Sequence, residues 1–492
     1  MTAFIVVDHP EQWPLHVQGA EVIDADAYLR EERFSGLRQA RVYNLCDSYG
    51  YQTVGYYVSL LAAARGHRTM PSVATIQDTK SRSLLRADDE LEELIQRSLH
   101  TIVSKRFELS IYFGCNLAER HADLSRALFN LFPLPLMRAS FTKSSTTGKW
   151  RPSSITPIPV GDLPTSHRDF LRQVIENHFA RRGPAGRVGR SVQYEHDLAI
   201  LTNDDERSPP SNREGLKRIE RAARANGFDV ELLDRDDYGR IAEFDALFIR
   251  ETTSVNHHTY RFASRARAEG LVVVDDPDSI IRCGNKVYLF ELARRLDLAI
   301  PPTMVVSSAR TEEIVRELGL PCVLKQPDSA FSEGVFRAES KADLAAGLQR
   351  LLSRSDLVVV QSFMPTEFDW RVGVFDRQPL FACRYYMADG HWQIYHHGAQ
   401  RTKEGESETI DVQHAPRDVI RLALKAANAI GDGLYGVDIK TVNGQPVLME
   451  VNDNPNIDRG VEDAVLGDEL YDRIMKVFKT RVDTGKQFGP TN

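Results

Sequence analysis

The chain is poor in cysteine and has no long apolar run. Its five cysteines, Cys46, Cys115, Cys283, Cys322 and Cys383, are scattered, odd in number and without a C-x-x-C pair. Such usage argues against a disulfide framework or a thiolate zinc site and fits reduced thiols in a cytosol. The most apolar stretch, LFNLFPLPLM, is broken by Pro133 and Pro135, and the opening MTAFIVVDHP meets Asp8 and Pro10 before an apolar segment develops. Nothing approaches the roughly 20 apolar residues that span a bilayer, so a cytoplasmic, unprocessed protein with no membrane partner is expected. A basic excess is missing too: 62 Lys and Arg stand against 69 Asp and Glu, a net charge of −7. That balance argues against a partner nucleic acid held by bulk charge.

What is present is ordinary globular material, 42% hydrophobic and 27% charged. At roughly 150 residues per domain, 492 residues predict about three cores. Residues 1–142 alternate short apolar runs with helical stretches, the rhythm of an α/β domain. Within it, NLCDSYGYQTVGYYVSLLAAARG reads as strand, turn and helix. Either the helix N-terminus binds an anion, or the helix packs Val54, Tyr57, Val58 and Leu61 into a core. Residues 143–193 read as a linker with one short helix: 143–165 is rich in Ser, Thr, Pro and Gly without periodicity, and RRGPAGRVGR closes the segment as a flexible basic stretch. Residues 194–276 form a second, small doubly wound α/β unit, 277–480 a larger α+β region, and 481–492 a polar, frayed tail.

The segment GVDIKTVNGQPVLMEVNDNPNID, residues 436–458, is the most informative. Two strand-like runs flank Asn443-Gly444, a hairpin signal. A three-residue loop, Asn443 to Gln445, pairs Val437 with Val451, Ile439 with Met449 and Thr441 with Val447 on one apolar face. The other face then carries Asp438 opposite Glu450, with Asn452 two residues further along, roughly 6–7 Å away. Two carboxylates and an amide oxygen on one face repel unless a cation lies between them, and the set suits Mg²⁺ with substrate phosphates. For Asp438 and Glu450 alone, a solvated hairpin with incidental acids accounts for the pattern equally well. Upstream residues tilt the balance. LPCVLKQP ends a buried-looking strand at Lys325, and DSAFSEGVFR offers small residues, Ser332 and Gly334 among them, for a phosphate flap. Beyond these, DLVVVQSFMP is a strand bending at Pro365, EFDWRVGVF presents Glu367, Asp369 and Arg371, and FACRYY puts Arg384 in a strand.

Taken together, these motifs over residues 195–475 resemble the RimK-like ligase family of the ATP-grasp fold, in its long form with an extra N-terminal domain. FDALFIR, CGNK, PCVLK, VVVQSF, FDWR, GVDI and MEVNDNP follow that family's order. The resemblance implies an ATP-grasp domain of two lobes at 277–480, preceded by the α/β unit 194–276 and the accessory domain. It implies that Lys286 and Lys325 contact the nucleotide phosphates, with Ser332 and Gly334 in the flap over them. It implies that Gln361, Ser362, Phe363 and Met364 form the adenine hinge, that Glu367 holds the ribose with Asp369 beside it, and that Arg371 and Arg384 face the transferring phosphoryl group. Asp438, Glu450 and Asn452 match the family's magnesium ligands, with Mn²⁺ as an allowed substitute. On the substrate side stand His396 and His397 of YHHGAQR, Asn454, and Arg250, whose guanidinium suits a substrate carboxylate. His257 and His258 follow the strand FDALFIR, where open sheets place ligand contacts. The flap keeps one glycine where the family usually has more. The implied activity is ATP-dependent ligation of a carboxylate to an amine through an acyl phosphate, with an amino acid such as glutamate joined to a peptide, protein tail or small acid. The alternatives are an ATP-binding regulatory protein without turnover and an ATP-grasp phosphotransferase. Self-association is left open.

Overall fold

The computed structural model describes residues 2–13, 15, 17, 19–37, 40–80, 89–180, 194–328, 334–387, 395–397, 402–404 and 406–490. The chain folds as two compact units, Met1–Asp197 with Asp236–Asp245, and Leu198–Arg235 with Ala246–Asn492. Among the described residues no helix is long and apolar enough to cross a membrane.

In the first unit, β1 (Thr2–Val7), β2 (Glu21–Asp24), β3 (Ala40–Asn44) and β4 (Arg68–Met70) form a parallel sheet in the order β2-β1-β3-β4. Phe4 to Val7 are all buried, as a parallel strand covered on both faces requires. The helix Val54–Ala64 buries Gly55, Val58, Ser59 and Ala62, while Val54 and Tyr57 are exposed. Its packed face is thus turned from the expected one toward small residues. The cause is close approach: a Cβ at Gly55 would lie 2.4 Å from the Ser48 carbonyl oxygen.

A second sheet of the first unit is antiparallel, β5 (Arg106–Tyr112), β6 (Leu136–Lys143) and β7 (Trp150–Pro157). Strand β7 corrects the reading of 143–165 as irregular. It is an edge strand that buries only Trp150 and Ile155, tolerates Pro152, and shifts register between Ser140 and Phe141 of its partner, so strict alternation is lost. The stretch RRGPAGRVGR lies outside the described residues.

The second unit begins with β8 (His196–Leu201), β9 (Phe228–Leu233), β10 (Ala246–Ile249) and β11 (Val272–Val274), ordered β11-β10-β8-β9. Strand β10 runs parallel to both β8 and β11, and the helix His258–Ala268 connects β10 to β11. Next, β12 (Thr303–Val306), β13 (Cys322–Lys325), β14 (Val335–Ala338) and β15 (Val358–Ser362) form an antiparallel sheet ordered β12-β15-β13-β14. Leu324 and Val360 of this sheet pack on Leu344 and Leu348 of the helix Lys341–Leu352.

The last large sheet contains β16 (Phe368–Phe375) and β17 (Gln378–Tyr386). After the small hairpin β18 (Tyr395–His397) and β19 (Thr402–Glu404), it is completed by β20 (Ser407–Ile410), β21 (Leu434–Val442) and β22 (Gln445–Asp453), in the order β20-β17-β16-β21-β22. Trp370, Val372, Val437 and Ile439 meet the helix Arg417–Ile430 through Val419, Ala423 and Ala426. The expected frayed tail is instead docked. The helix Asp468–Thr484 runs past 480, and Phe488 stacks on Phe375 at 5.3 Å beneath the Arg481 guanidinium, itself paired with Asp432 and Asp376. A single buried aromatic among polar neighbours anchors it.

Candidate active site

The hairpin of β21 and β22 sets the geometry. Asn443 and Gly444 have φ of 52° and 77°, a two-residue turn with Val442 opposite Gln445, rather than a three-residue loop. A β-bulge beyond Asp438 compensates, so Val437 still faces Val451 and Asp438 still faces Glu450. The shift pairs Ile439 with Leu448, not with Met449, and Lys440 with Val447. Leu448 therefore enters the core, and Met449 is released to the opposite face.

That face closes one side of a cavity of about 750 Å³, well within the range of small-ligand sites. Its lining combines Lys325, Gln361 and Ser362 from one sheet, and Phe363 and Met364 just beyond that sheet's β15, with Asp369, Arg371, Asp438, Lys440, Glu450 and Asn452 from the other. Lys286 joins them from the first turn of the helix Lys286–Arg295, which is N-capped by the Asn285 side chain. Thr252 to Asn256, following β10, and Asp453 to Asn456, at the end of β22 and beyond it, line the cavity too.

Inside the cavity, charge is balanced in pairs. Arg371 holds both oxygens of Asp438, at 2.7 and 2.8 Å, and Asn452 Nδ2 donates to Asp438 Oδ2 at 3.0 Å. Lys286 Nζ lies 2.8 Å from Glu450, and Lys440 Nζ donates to Asp369 at 2.6 Å and Thr366 at 2.7 Å. Lys325 Nζ donates to Gln361 Oε1 at 2.9 Å, and Gln361 in turn donates to Thr303 at 3.0 Å. Burial pushes the Glu450 carboxyl up, but Lys286 and Lys325 outweigh it and hold the group below its ordinary value. Burial pulls the Lys325 ammonium below the usual lysine range, with Glu450 opposing. The donor set fits a hard divalent cation: two carboxylates and an amide on one sheet face, with ammonium and guanidinium groups alongside for phosphate oxygens.

Of the residues expected at the site, this cavity gathers Lys286, Lys325, Gln361 to Met364, Asp369, Arg371, Asp438, Glu450, Asn452 and Asn454. Three expectations are corrected. Arg371 pairs with Cys383, so Arg384 lies one residue out of phase, on the opposite face of the sheet; its guanidinium stacks on Trp370 and Phe368 at 4.9 and 5.1 Å and meets Glu408. Glu367 precedes β16 at an exposed position outside the lining, and Asp369 is the acid that faces the cavity. Arg250 is fully buried and committed: it donates to Ser211 at 3.1 Å, Asn454 at 2.6 Å, the Pro455 carbonyl at 2.9 Å and the Pro210 carbonyl. It shapes the loop after β22 rather than gripping a substrate. Asn454 lines the cavity, yet its amide is spent on Arg250 and the Glu251 carbonyl.

Gly334 has φ of 73° and its carbonyl accepts from Gln326, closing the β13–β14 turn outside the lining. Ser332 lies outside the described residues, as do the side chains of His396 and His397, whose backbone forms β18. Sequence reasoning missed Lys440, two residues after Asp438 and so on the same strand face, and Asp453, whose carboxyl accepts from Thr253 at 2.6 Å and is pushed up by burial. The period of two along β21 carried the signal for Lys440.

Comparison with known proteins gives two family matches. Residues 25–174 match the RimK-like ATPgrasp N-terminal domain, and residues 285–474 match the RimK-like ATP-grasp domain. Curated relatives include a probable alpha-L-glutamate ligase of Shewanella loihica, 23% identical over 286 residues, covering 54% of this chain and 90% of the relative. One from Vibrio vulnificus is 23% identical over 314 residues, covering 59% of this chain and 99% of the relative. Among solved structures, a RimK domain ATP-grasp protein of Sphaerobacter thermophilus is 17% identical with a TM-score of 0.44, covering 57% of this chain and 98% of its own. The D-alanine–D-alanine ligase of Bacillus anthracis is 14% identical with a TM-score of 0.47, covering 59% and 99%.

Proposed function

Because this chain belongs to the RimK-like ATP-grasp family, we propose that it is an ATP-dependent carboxylate–amine ligase that makes an amide through an acyl phosphate. The observation that carries this reading is the convergence of Lys286, Lys325, Arg371, Asp438, Glu450 and Asn452 on one cavity. A carboxylate is a poor acyl donor, and its oxygen must first attack the terminal phosphorus of ATP, with ADP leaving. The amine then attacks the acyl carbon, and phosphate leaves. Positioning and charge neutralisation supply most of such catalysis.

In this reading Lys325, held by Gln361, and Lys286, at a helix N-terminus, grip the phosphates. Ser362 to Met364 take the adenine edge and Asp369 the sugar. Arg371 leaves Asp438 to meet the transferring phosphoryl group, while Asp438, Glu450 and Asn452 hold Mg²⁺. When bound, that ion supplies charge neutralisation on the phosphate oxygens. The name of the relatives, probable alpha-L-glutamate ligase, makes glutamate the first amino acid to test, joined to a peptide, protein tail or small acid.

The test uses pure protein, Mg²⁺, ATP, glutamate and pooled peptides and metabolites, with ¹⁸O in the carboxyls of glutamate in one arm and in those of the partner acids and peptides in the other, read by mass spectrometry. In the arm whose label sits on the activated carboxylate, one labelled oxygen passes to inorganic phosphate per amide formed if the acyl phosphate exists. A phosphorylated product without an amide makes the protein a phosphotransferase, and ATP binding without ADP makes it a regulator. Either result overturns the proposal.

A further inference from the structure

We propose that Glu251, His257 and His258 form a site for one transition-metal dication, separate from Asp438, Glu450 and Asn452, that staples the cavity-lining loop 252–256. One ligand atom from each residue lies within 4.8 Å of the other two. A tetrahedral site with bonds near 2.1 Å keeps its donors roughly 3.4 Å apart, so side-chain rotation of about an ångström closes the trio.

The three residues are held by rigid elements. Glu251 stands just beyond β10, while His257 and His258 are the N-cap and first residue of the helix His258–Ala268. Glu251 is 2% exposed. The Asn203 amide donates to its Oε1 at 3.1 Å, which aims Oε2 at His258 Nε2, 2.8 Å away. His257 Nδ1 is engaged by Thr259 Oγ1 at 3.1 Å, which leaves Nε2 to act as its ligand atom, and the two imidazole rings lie 3.9 Å apart, tilted by 42°. Outer partners of this kind orient metal-binding imidazoles and carboxylates. Two imidazoles and one carboxylate select zinc-like ions over Mg²⁺, and three protein ligands leave a fourth position for water. The metal takes the place of the hydrogen between His258 and Glu251. Since Thr252 to Asn256 line the cavity, it fixes both ends of the loop that forms this wall.

The experiment titrates the tag-free, chelator-stripped full chain with Co²⁺ alone and follows visible absorption and hydrogen exchange. One Co²⁺ per chain with the intense bands of a tetrahedral site is expected, displaced by Zn²⁺, with slower amide exchange in 252–256. His257→Asn and His258→Asn lose the bands while keeping the native circular dichroism. Asn203→Ala weakens binding by about 10–100-fold, and Glu450→Gln keeps the bands. The proposal is overturned if wild type shows no stoichiometric Co²⁺, if the bands survive in the doubly substituted His257→Asn/His258→Asn chain, or if Glu450→Gln removes them.

Discussion

The Arg371–Asp438 pair makes the sharpest demand on the metal assignment. Both side chains are nearly buried, 14% and 16% exposed, and the two bonds of 2.7 and 2.8 Å satisfy both carboxylate oxygens. Arg371→Met keeps an apolar stem but leaves Asp438 without a counter-charge, held only by the Asn452 amide and directly opposite Glu450. Removing one partner of a buried pair is destabilising by about 3–5 kcal/mol, and the polar cavity puts this case at the lower end, about 3 kcal/mol. In the variant, a cation on Asp438 no longer competes with a guanidinium. The charge-assisted bonds it displaces in the wild type contribute about 1.5–3 kcal/mol, so Mg²⁺ affinity rises by roughly 10-fold to 150-fold. Denaturant unfolding in chelator and in Mg²⁺ measures both effects: the variant is weaker than wild type without metal, and Mg²⁺ narrows the gap. Turnover falls in parallel, because the group that meets the phosphoryl is gone. If Mg²⁺ shifts the variant and the wild type equally, Asp438 is not a ligand.

Three further outcomes are expected. Burial pushes Glu462 up to about 7 against the opposing Tyr385 hydrogen bond, so from about pH 4.3 to 7 the folded chain binds the extra proton and stability declines by on the order of 3 kcal/mol; Glu462→Gln flattens that slope in pH-dependent melts, and a wild-type slope in the variant counts against the account. Lys325→Met lowers affinity for an ATP analogue by about 10–100-fold in calorimetry, since a charged hydrogen bond to phosphate is worth about 1.5–3 kcal/mol; thermal stability holds, because a desolvated ammonium is replaced by an apolar group. Arg384→Met loses about 1 kcal/mol of stability with its aromatic stacking but keeps turnover within about twofold; a collapse of activity would return Arg384 to the site.

Sequence reasoning reached the hairpin because one residue of slip would have put Asp438 or Glu450 into the core, and Val437, Ile439 and Val451 forbid that. The bulge stayed hidden because Leu448 and Met449 are both apolar, so either can fill the core position. Arg384 was misplaced for a related reason. Its face depends on the register of β17 with β16, set by the tight turn at Asp376-Arg377 and the irregularity after Gly373, and neither has a strong local signature. Arg250 looked like a ligand because its partners, Pro210 and Pro455, are 40 and 205 residues away in the chain. Strand β7 and the docked Phe488 were missed alike, since each buries too few residues to produce a period.

The coupling of ATP cleavage to amide formation in this cavity is open to direct measurement. Its most direct test counts ADP, phosphate and amide from wild type and Glu450→Gln with Mg²⁺, ATP, glutamate and an acceptor. Equal amounts of the three products from wild type, with all of them falling by about 100-fold or more in the variant, are predicted from the loss of a preorganised charge at the reacting phosphates. Undiminished ATP turnover in the variant, or ADP released by wild type without any amide, would contradict it.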